Sequence, residues 1–358
     1  RLGTGGLGAR LNANPFGSLW GSTAVTGSIH LATGAWTGGV AGIGSLPADM
    51  GWSIGSTYNA QQGGGSHVSD GYQGRNWVQS SQPEIVLYEH PTDDTFDLVY
   101  VVFGNGRYGE FKRQAASGAG ADYFKGVNGL GGVVQFEAGA TGEPDTYTLI
   151  DQVGQRFVFF GFDADAGAAA GQLWKKIGTG GDVAYVGASG GGGSDAIARG
   201  YDSSGRITDA YDSEGRHFDY TYATFGAAGT RLALVEAFDG ATSVAKVEYD
   251  YYTATETGRG NIGDLKTVTR TTPLSEPGRS CVDVTYLRYS TSGNQLLKMV
   301  VGPHGTSENA TYLTDSDAAL KPYSDWYFEY DASGRVKSFF TGGSCGCSGA
   351  LDGTVRIG

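Results

Sequence analysis

The sequence predicts an all-β protein: an extended antiparallel sheet of hairpins that curls into a spiral shell or barrel-like wall, with almost no helix. Three observations predict it. Glycine is unusually common, 62 of 358 residues, against a usual share of about 7%. It is interleaved with Tyr, Phe, Val and Trp rather than gathered in a bland tail or a Gly-X-Y period. Aromatics make up 12% of the chain, with 21 Tyr and 16 Phe, and segments that stay disordered are poor in such residues. Finally, a short turn motif recurs with Tyr, Asp, Gly and Arg at fixed offsets.

The strands follow in order. Residues 85–90 and 96–103 are apolar and β-branched, and Asn105-Gly106 separates the second run from residues 108–113. Asn-Gly between two such runs is the strongest short-range hairpin signal, because both central positions of the favoured turn need φ > 0. Residues 133–137, 147–150 and 156–160 continue the series, the last two joined by the turn Asp151-Gln152-Val153-Gly154. Residues 163–173 are Ala-rich and read as one short helical turn or a loop. Windows with apolar residues at helical spacing and no intervening Gly are otherwise scarce.

The organisation that follows is a Trp/Gly-rich opening region over 1–80 and antiparallel hairpins over 81–177. A Gly-rich loop or linker over 178–197 carries Gly190 to Gly193. A repeat sheet fills 198–340, and a Cys-x-Cys tail 341–358. The start lacks both an initiator Met and an apolar signal core, so a processed chain or a segment of a longer one is expected.

The repeat reads Tyr201-Asp202-Ser203-Ser204-Gly205-Arg206, then Tyr211-Asp212-Ser213-Glu214-Gly215-Arg216, then Tyr330-Asp331-Ala332-Ser333-Gly334-Arg335. A degraded copy starts at Tyr289, and half-copies are Tyr249-Asp250 and Phe238-Asp239-Gly240. Each residue type has a job. Tyr ends a strand and packs over the sheet. Asp accepts backbone N–H bonds across the turn. Gly takes the φ > 0 position, and Arg opens the return strand. One hairpin is marginal in water, so the units must pair in series.

These copies resemble the YD repeat of the RHS-repeat family, whose motif runs Tyr-Asp-x-x-Gly-Arg. Ile29-His30-Leu31-Ala32-Thr33-Gly34, Ser56-Thr57-Tyr58-Asn59 and Gly71-Tyr72-Gln73-Gly74-Arg75-Asn76-Trp77 resemble the family's opening landmarks, in the same order. The resemblance implies a spiral β shell, which in relatives encloses a C-terminal toxin or decorates a bacterial surface. The family's closing Asp-Pro-x-Gly signature is absent from this sequence. The expectation is therefore a wall or fibre unit rather than a sealed capsule.

No chemistry-bearing pattern in the sequence selects an enzyme. There is no His-Glu-x-x-His and no phosphate-binding Gly-rich loop with Lys. His30, His67, His90, His217 and His304 show no metal-ligand spacing, and His30 and His217 read as half-exposed strand residues. The repeat explains Asp202, Asp212 and Asp331 as turn caps. No catalytic, cofactor or metal residue is expected. Calcium is a secondary reading, with Asp151, Asp163 and Asp165 offering oxygens.

Cys281, Cys345 and Cys347 make an odd count, so a disulfide from Cys281 to one of the pair and an intermolecular bridge both stand open. Trp20, Trp36, Trp52 and Trp77 read as core of the opening region. The net charge of −12 and pI of about 4.8 argue against nucleic acid and anionic lipid as partners. No apolar run reaches the ~18 residues of a membrane span. The expected function is a non-catalytic extracellular or cell-surface shell, fibre or surface-layer subunit that self-assembles. Alternatives are an adhesin that binds glycans or a neighbouring cell, and the shell fragment of a polymorphic toxin.

Overall fold

The computed structural model describes residues 26–30, 35–40, 52–59, 70–79, 82–93, 96–103, 108–114, 122–187, 200–274, 278–291, 295–341 and 354–356. Six short strands precede residue 80: β1 (Thr26–His30), β2 (Ala35–Val40), β3 (Ser56–Asn59), β4 (Asp70–Gly71), β5 (Gly74–Arg75) and β6 (Trp77–Gln79). A four-stranded antiparallel sheet has the order β1-β2-β3-β6, and β4 pairs with β5.

The remaining described strands make one sheet. Its first half comprises β7 (Glu84–Tyr88), β8 (Leu98–Val102), β9 (Tyr108–Arg113), β10 (Tyr123–Gly126), β11 (Val133–Glu137), β12 (Thr146–Ile150), β13 (Arg156–Phe160), β14 (Leu173–Ile177) and β15 (Val183–Val186). The second half comprises β16 (Asp209–Tyr211), β17 (His217–Thr224), β18 (Thr230–Asp239), β19 (Thr242–Tyr251), β20 (Leu265–Pro273), β21 (Ser280–Tyr289), β22 (Leu297–Val301), β23 (Trp326–Tyr330), β24 (Val336–Phe340) and β25 (Thr354–Arg356). From β7 onward each strand pairs antiparallel with the next in sequence, so the sheet is a meander. Among the described residues no ladder joins β25 back to β7, so the sheet is open there. The strands flanking Asn105-Gly106 pair as the sequence predicts, Val102 opposite Tyr108, although the turn itself lies outside the described residues. So does the Gly-rich run at 189–194, yet β15 and β16 on either side of it pair directly, Tyr185 opposite Tyr211.

Two features curl this ribbon. Register shifts interrupt the pairing at Val158/Phe159, Thr221/Tyr222, Ala237/Phe238, Asp250/Tyr251, Arg288/Tyr289 and Glu329/Tyr330. A bulge bends its strand and raises the local twist. Large residues also face small ones on the inner face: Phe218 lies opposite Ala210 on one side and Ala237 on the other. The curl brings β7 round to the chain entering β14, where the Ile85 N–H donates to the Gly171 carbonyl at 2.8 Å and Glu84 bridges Gln172. The leading edge of the sheet is thus partly paired within the chain.

The inner face is covered by the chain's own opening segment. The Trp52 indole N–H donates to the Tyr220 hydroxyl at 2.8 Å, and Trp77 donates to the Tyr289 hydroxyl at 2.8 Å. The Leu297 N–H donates to the Tyr58 hydroxyl at 2.9 Å, and the Leu232 N–H donates to the Tyr72 carbonyl at 2.7 Å. Trp52, Trp77 and Tyr58 are fully buried, as the sequence reading expected of Trp52 and Trp77. Each Trp removes about 150–250 Å² from water, worth on the order of 4–6 kcal/mol before entropy is counted. Gly74, at φ +91, lets the β4–β5 hairpin touch the wall, since an added Cβ would lie 2.8 Å from the Gly263 carbonyl oxygen.

Helix is confined to short pieces, among them Pro303–Glu308 and Asp317–Leu320 between β22 and β23. Buried Arg288 pins this insertion to β21. It donates to Asp317 Oδ1 at 3.0 Å and to the carbonyls of Tyr312 and Asp315 at 3.0 and 2.8 Å. The Ala-rich 163–173 segment holds one short helical turn, Gly167–Ala169. No helix among the described residues is long and apolar enough to cross a membrane.

Lys176 also points into the interior, between Phe157 and Ala184 in register, with Nζ 4.3 Å over the Trp52 ring. Burial pushes its ammonium down to about 7, and the negative face of the indole offsets part of that. Because the folded pKa lies below the unfolded value of about 10.4, the burial cost is fully present below pH 7. It fades as pH rises from 7 toward 10.4. Lys176→Met is therefore expected to be more stable than the wild-type chain at pH 6, by about 2 kcal/mol. The gap should narrow at pH 9. Urea melts at both pH values check this, and a gap that does not change with pH would contradict it.

Candidate functional site

The repeat turns share one construction. In the first, Asp202 Oδ1 accepts from the Ser204 and Arg206 amides at 2.8 and 3.1 Å, and Oδ2 accepts from Arg206 Nε at 2.6 Å. In the second, Asp212 accepts from Glu214 and Arg216 amides at 3.0 and 2.9 Å and from Arg216 Nε at 2.6 Å. In the third, Asp331 accepts from Ser333 and Arg335 amides at 2.8 and 2.9 Å and from Arg335 Nε at 2.8 Å. The glycines that close the turns, Gly205, Gly215 and Gly334, have φ of 72, 81 and 77, a region costly for any residue with a Cβ.

A further copy lies in the first half of the sheet. Asp151 Oδ1 accepts from the Val153 and Gln155 amides, both at 2.9 Å, and Gly154 has φ 89. The motif is masked there because Ile150 and Gln155 stand where Tyr and Arg would be. Asp-x-x-Gly alone would have found it. Conversely, the half-copy Tyr249-Asp250 sits inside β19 and forms no turn, because strand pairing overrides a motif without its Gly. Phe238-Asp239-Gly240 does end a strand: Asp239 pairs with Thr242 across the β18–β19 hairpin.

The tyrosines diverge. Tyr201 donates its hydroxyl to the Leu173 carbonyl at 2.7 Å and Tyr330 to the Leu297 carbonyl at 2.6 Å, each tying its turn to a neighbouring strand. Tyr211 faces outward and stacks on His217 at 4.5 Å. The first turn also reaches the opening segment. The Arg206 guanidinium lies 5.5 Å from the Tyr72 ring and 4.7 Å from the Tyr222 ring.

Electrostatics follow the hydrogen bonds. Burial alone would raise the Asp202 carboxyl, but the Arg206 guanidinium and the Arg206 and Ser204 amides hold it below the ordinary carboxylate range. The Arg335 amide and guanidinium, with the Ser333 amide, do the same for Asp331. Burial drives the interior Tyr58 hydroxyl up to about 12, so it stays a neutral hydrogen-bonding group.

Cys281 is exposed on β21, while Cys345 and Cys347 lie outside the described residues. Among the described residues, donor atoms of His, Cys, Asp and Glu gather in one group of three, Asp209, His217 and Asp219. Asp151, Asp163 and Asp165 are not gathered: Asp151 Oδ1 caps its turn, and Asp163 Oδ1 accepts from the Asp145 amide at 3.3 Å. Sequence reasoning missed the Asp209 group because its members come together only through the register of the β16–β17 hairpin.

No known family model matches the chain, and no curated protein matches it. Among solved structures, it is similar to the N-terminal domain of the effector protein SpvB from Salmonella typhimurium strain LT2, at 12% identity and TM-score 0.32, over 72% of this chain and 98% of that one. It is also similar to the Photorhabdus luminescens Tc holotoxin pore, at 11% identity and TM-score 0.37, over 78% of this chain and 15% of that one. A third is TcdB2-TccC3 without its hypervariable C-terminal region, at 11% identity and TM-score 0.36, over 78% of this chain and 16% of that one. These are distant likenesses.

The turns differ in burial, and so should their variants. The Asp212 side chain is 0% exposed beside Arg216, whereas Arg335, the partner of Asp331, is 63% exposed. Asp212→Asn turns a buried amide donor toward Arg216 Nε and should cost about 2–3 kcal/mol. Asp331→Asn should cost under about 1 kcal/mol. Equal losses in chemical denaturation would contradict this reading of the turns.

Proposed function

We propose that this chain is a non-catalytic wall of an RHS/YD-type β shell, working outside a bacterial cell or at its surface. The observation that carries the proposal is one turn construction repeated along a single curling sheet whose inner face is filled by the chain's own aromatic segment. The polar groups support it by the use they are put to. Both oxygens of Asp202 and Asp212 are engaged within their turns, and the buried guanidinium of Arg288 pins one segment to the wall. Such groups act as struts and have little freedom to exchange protons with a substrate. A shell wall or a surface fibre is the form that the family resemblance implies, with the shell fragment of a toxin as the alternative.

A second reading, a contact face for another copy or for a neighbouring surface, has its own support. On the outer side of β7–β9, Val86 and Tyr88 are 47% and 50% exposed, and the Tyr100 and Tyr108 rings lie 5.9 Å apart beside them. The part-paired leading edge of β7 favours contact through this face over strand-to-strand growth, since a paired edge offers fewer free amides.

Imaging the product of the complete reading frame by negative-stain microscopy tests the proposal. A curved wall or fibre built from a single sheet is expected, and a solid globule would overturn it. Light scattering tests the second reading. Any concentration-dependent oligomer should dissociate in Val86→Glu/Tyr88→Glu, and an oligomer indifferent to that change would remove this face from consideration.

A further inference from the structure

The outer face of the wall carries a cluster that the shell does not require. Asp209 on β16 lies directly opposite Asp219 on β17, and Tyr211 opposite His217. Side chains two apart on a strand share a face, so Asp209, Tyr211, His217 and Asp219 converge. His217 Nε2 sits 3.1 Å from Asp209 Oδ1 and 2.7 Å from Asp219 Oδ1. One strand further, Glu236 lies opposite Asp219. Beyond it, Lys246 lies opposite Glu236 and pairs with Glu248 at 3.0 Å. Three carboxylates therefore stand in line across three strands, an arrangement in which like charges directly opposite destabilise a sheet.

We infer that Asp209, His217 and Asp219 form a divalent-cation site of the zinc class on the outer face of the wall. Two carboxylate oxygens converge on one imidazole nitrogen, and a neutral imidazole has at most a single N–H there to share between them. A divalent cation in the place of that proton satisfies all three donors and neutralises the facing carboxylates. The geometry is close to what it needs. Tetrahedral ligands at bonds of ~2.0 Å lie about 3.3 Å from one another, so the N···O separations of 3.1 and 2.7 Å have to open by about 0.2 and 0.6 Å. All three donor atoms already lie within 4.8 Å of each other.

The ring is held for the task. Tyr211 stacks on His217 at 4.5 Å and 16°, and Phe238 closes from the other strand at 6.1 Å. The three residues are half-buried, which leaves a fourth position for water. One imidazole with two carboxylates suits zinc and its neighbours, whereas calcium takes six to eight oxygens. The cation would staple β16 to β17 across the Asp212–Arg216 turn, adding a metal lock to one repeat.

Zinc titration by calorimetry tests the site, in a background with Cys281→Ser, Cys345→Ser and Cys347→Ser so that thiols do not compete. One equivalent is expected to bind. His217→Gln and Asp219→Asn should each weaken binding at least tenfold, while His304→Gln, at the separate His304–Glu308 pair, should leave it unchanged. If the serine background does not fold, cobalt absorption of the wild-type chain gives the same readout: a nitrogen–oxygen tetrahedral spectrum that His217→Gln abolishes. Binding unaffected by His217→Gln, or no binding by folded protein, would overturn the inference and leave His217 as a hydrogen-bonding bridge between two carboxylates.

Discussion

A meandering sheet has an inner face that must be covered, and in this protein the cover is the chain's own opening segment. Everything else in the wall is arranged around that constraint. The contacts that seat the segment are few and specific: indole to phenol at Trp52–Tyr220 and Trp77–Tyr289, and backbone amide to phenol at Leu297–Tyr58. They span sequence separations of 168, 212 and 239 residues. Contacts so distant carry a large loop-closure cost, so they close only a wall whose local pieces are already well specified.

The repeat turns supply that local specification. Each fixes register through an Asp that accepts two amides and, at three of the four copies, a guanidinium, and through a Gly at positive φ. A slip of one residue would send the inner row Ala210, Phe218 and Ala237 to solvent, since side chains alternate with period two. Turn and interior meet at Arg206, which bonds Asp202 and lies against Tyr72 of the opening segment. Bulges between the turns add the curvature that lets a flat pattern of hairpins become a wall.

The all-β class, the strands from residue 84 to 160 apart from β10 (Tyr123–Gly126), and the repeat turns were legible because each rests on local chemistry. Asn105-Gly106, Asp202 with Gly205 and the alternation in β8 are readable within a few residues. What the sequence hid was non-local or masked. The turn at Asp151 has Ile and Gln where Tyr and Arg were sought. Tyr249-Asp250 looked like half a repeat, yet without a following Gly it runs straight through β19. The helices at 303–320 are too short, and broken by Gly305, to show helical periodicity. The Asp209–His217–Asp219 group exists only because the turn between its strands sets their register. The burial of Trp52 and Trp77 was expected from residue type, but their partners Tyr220 and Tyr289 were not, since nothing local links residues so far apart.

Native-state hydrogen exchange read by mass spectrometry tests the dependence of wall on segment most directly, comparing the wild-type chain with Trp52→Ala/Trp77→Ala. If the wall depends on its interior, amides of β17, β21 and β22, which receive the anchors, lose protection together with residues 52–79, by at least tenfold. Protection lost only within 52–79, with the wall strands unchanged, would show that the sheet stands without the segment it encloses.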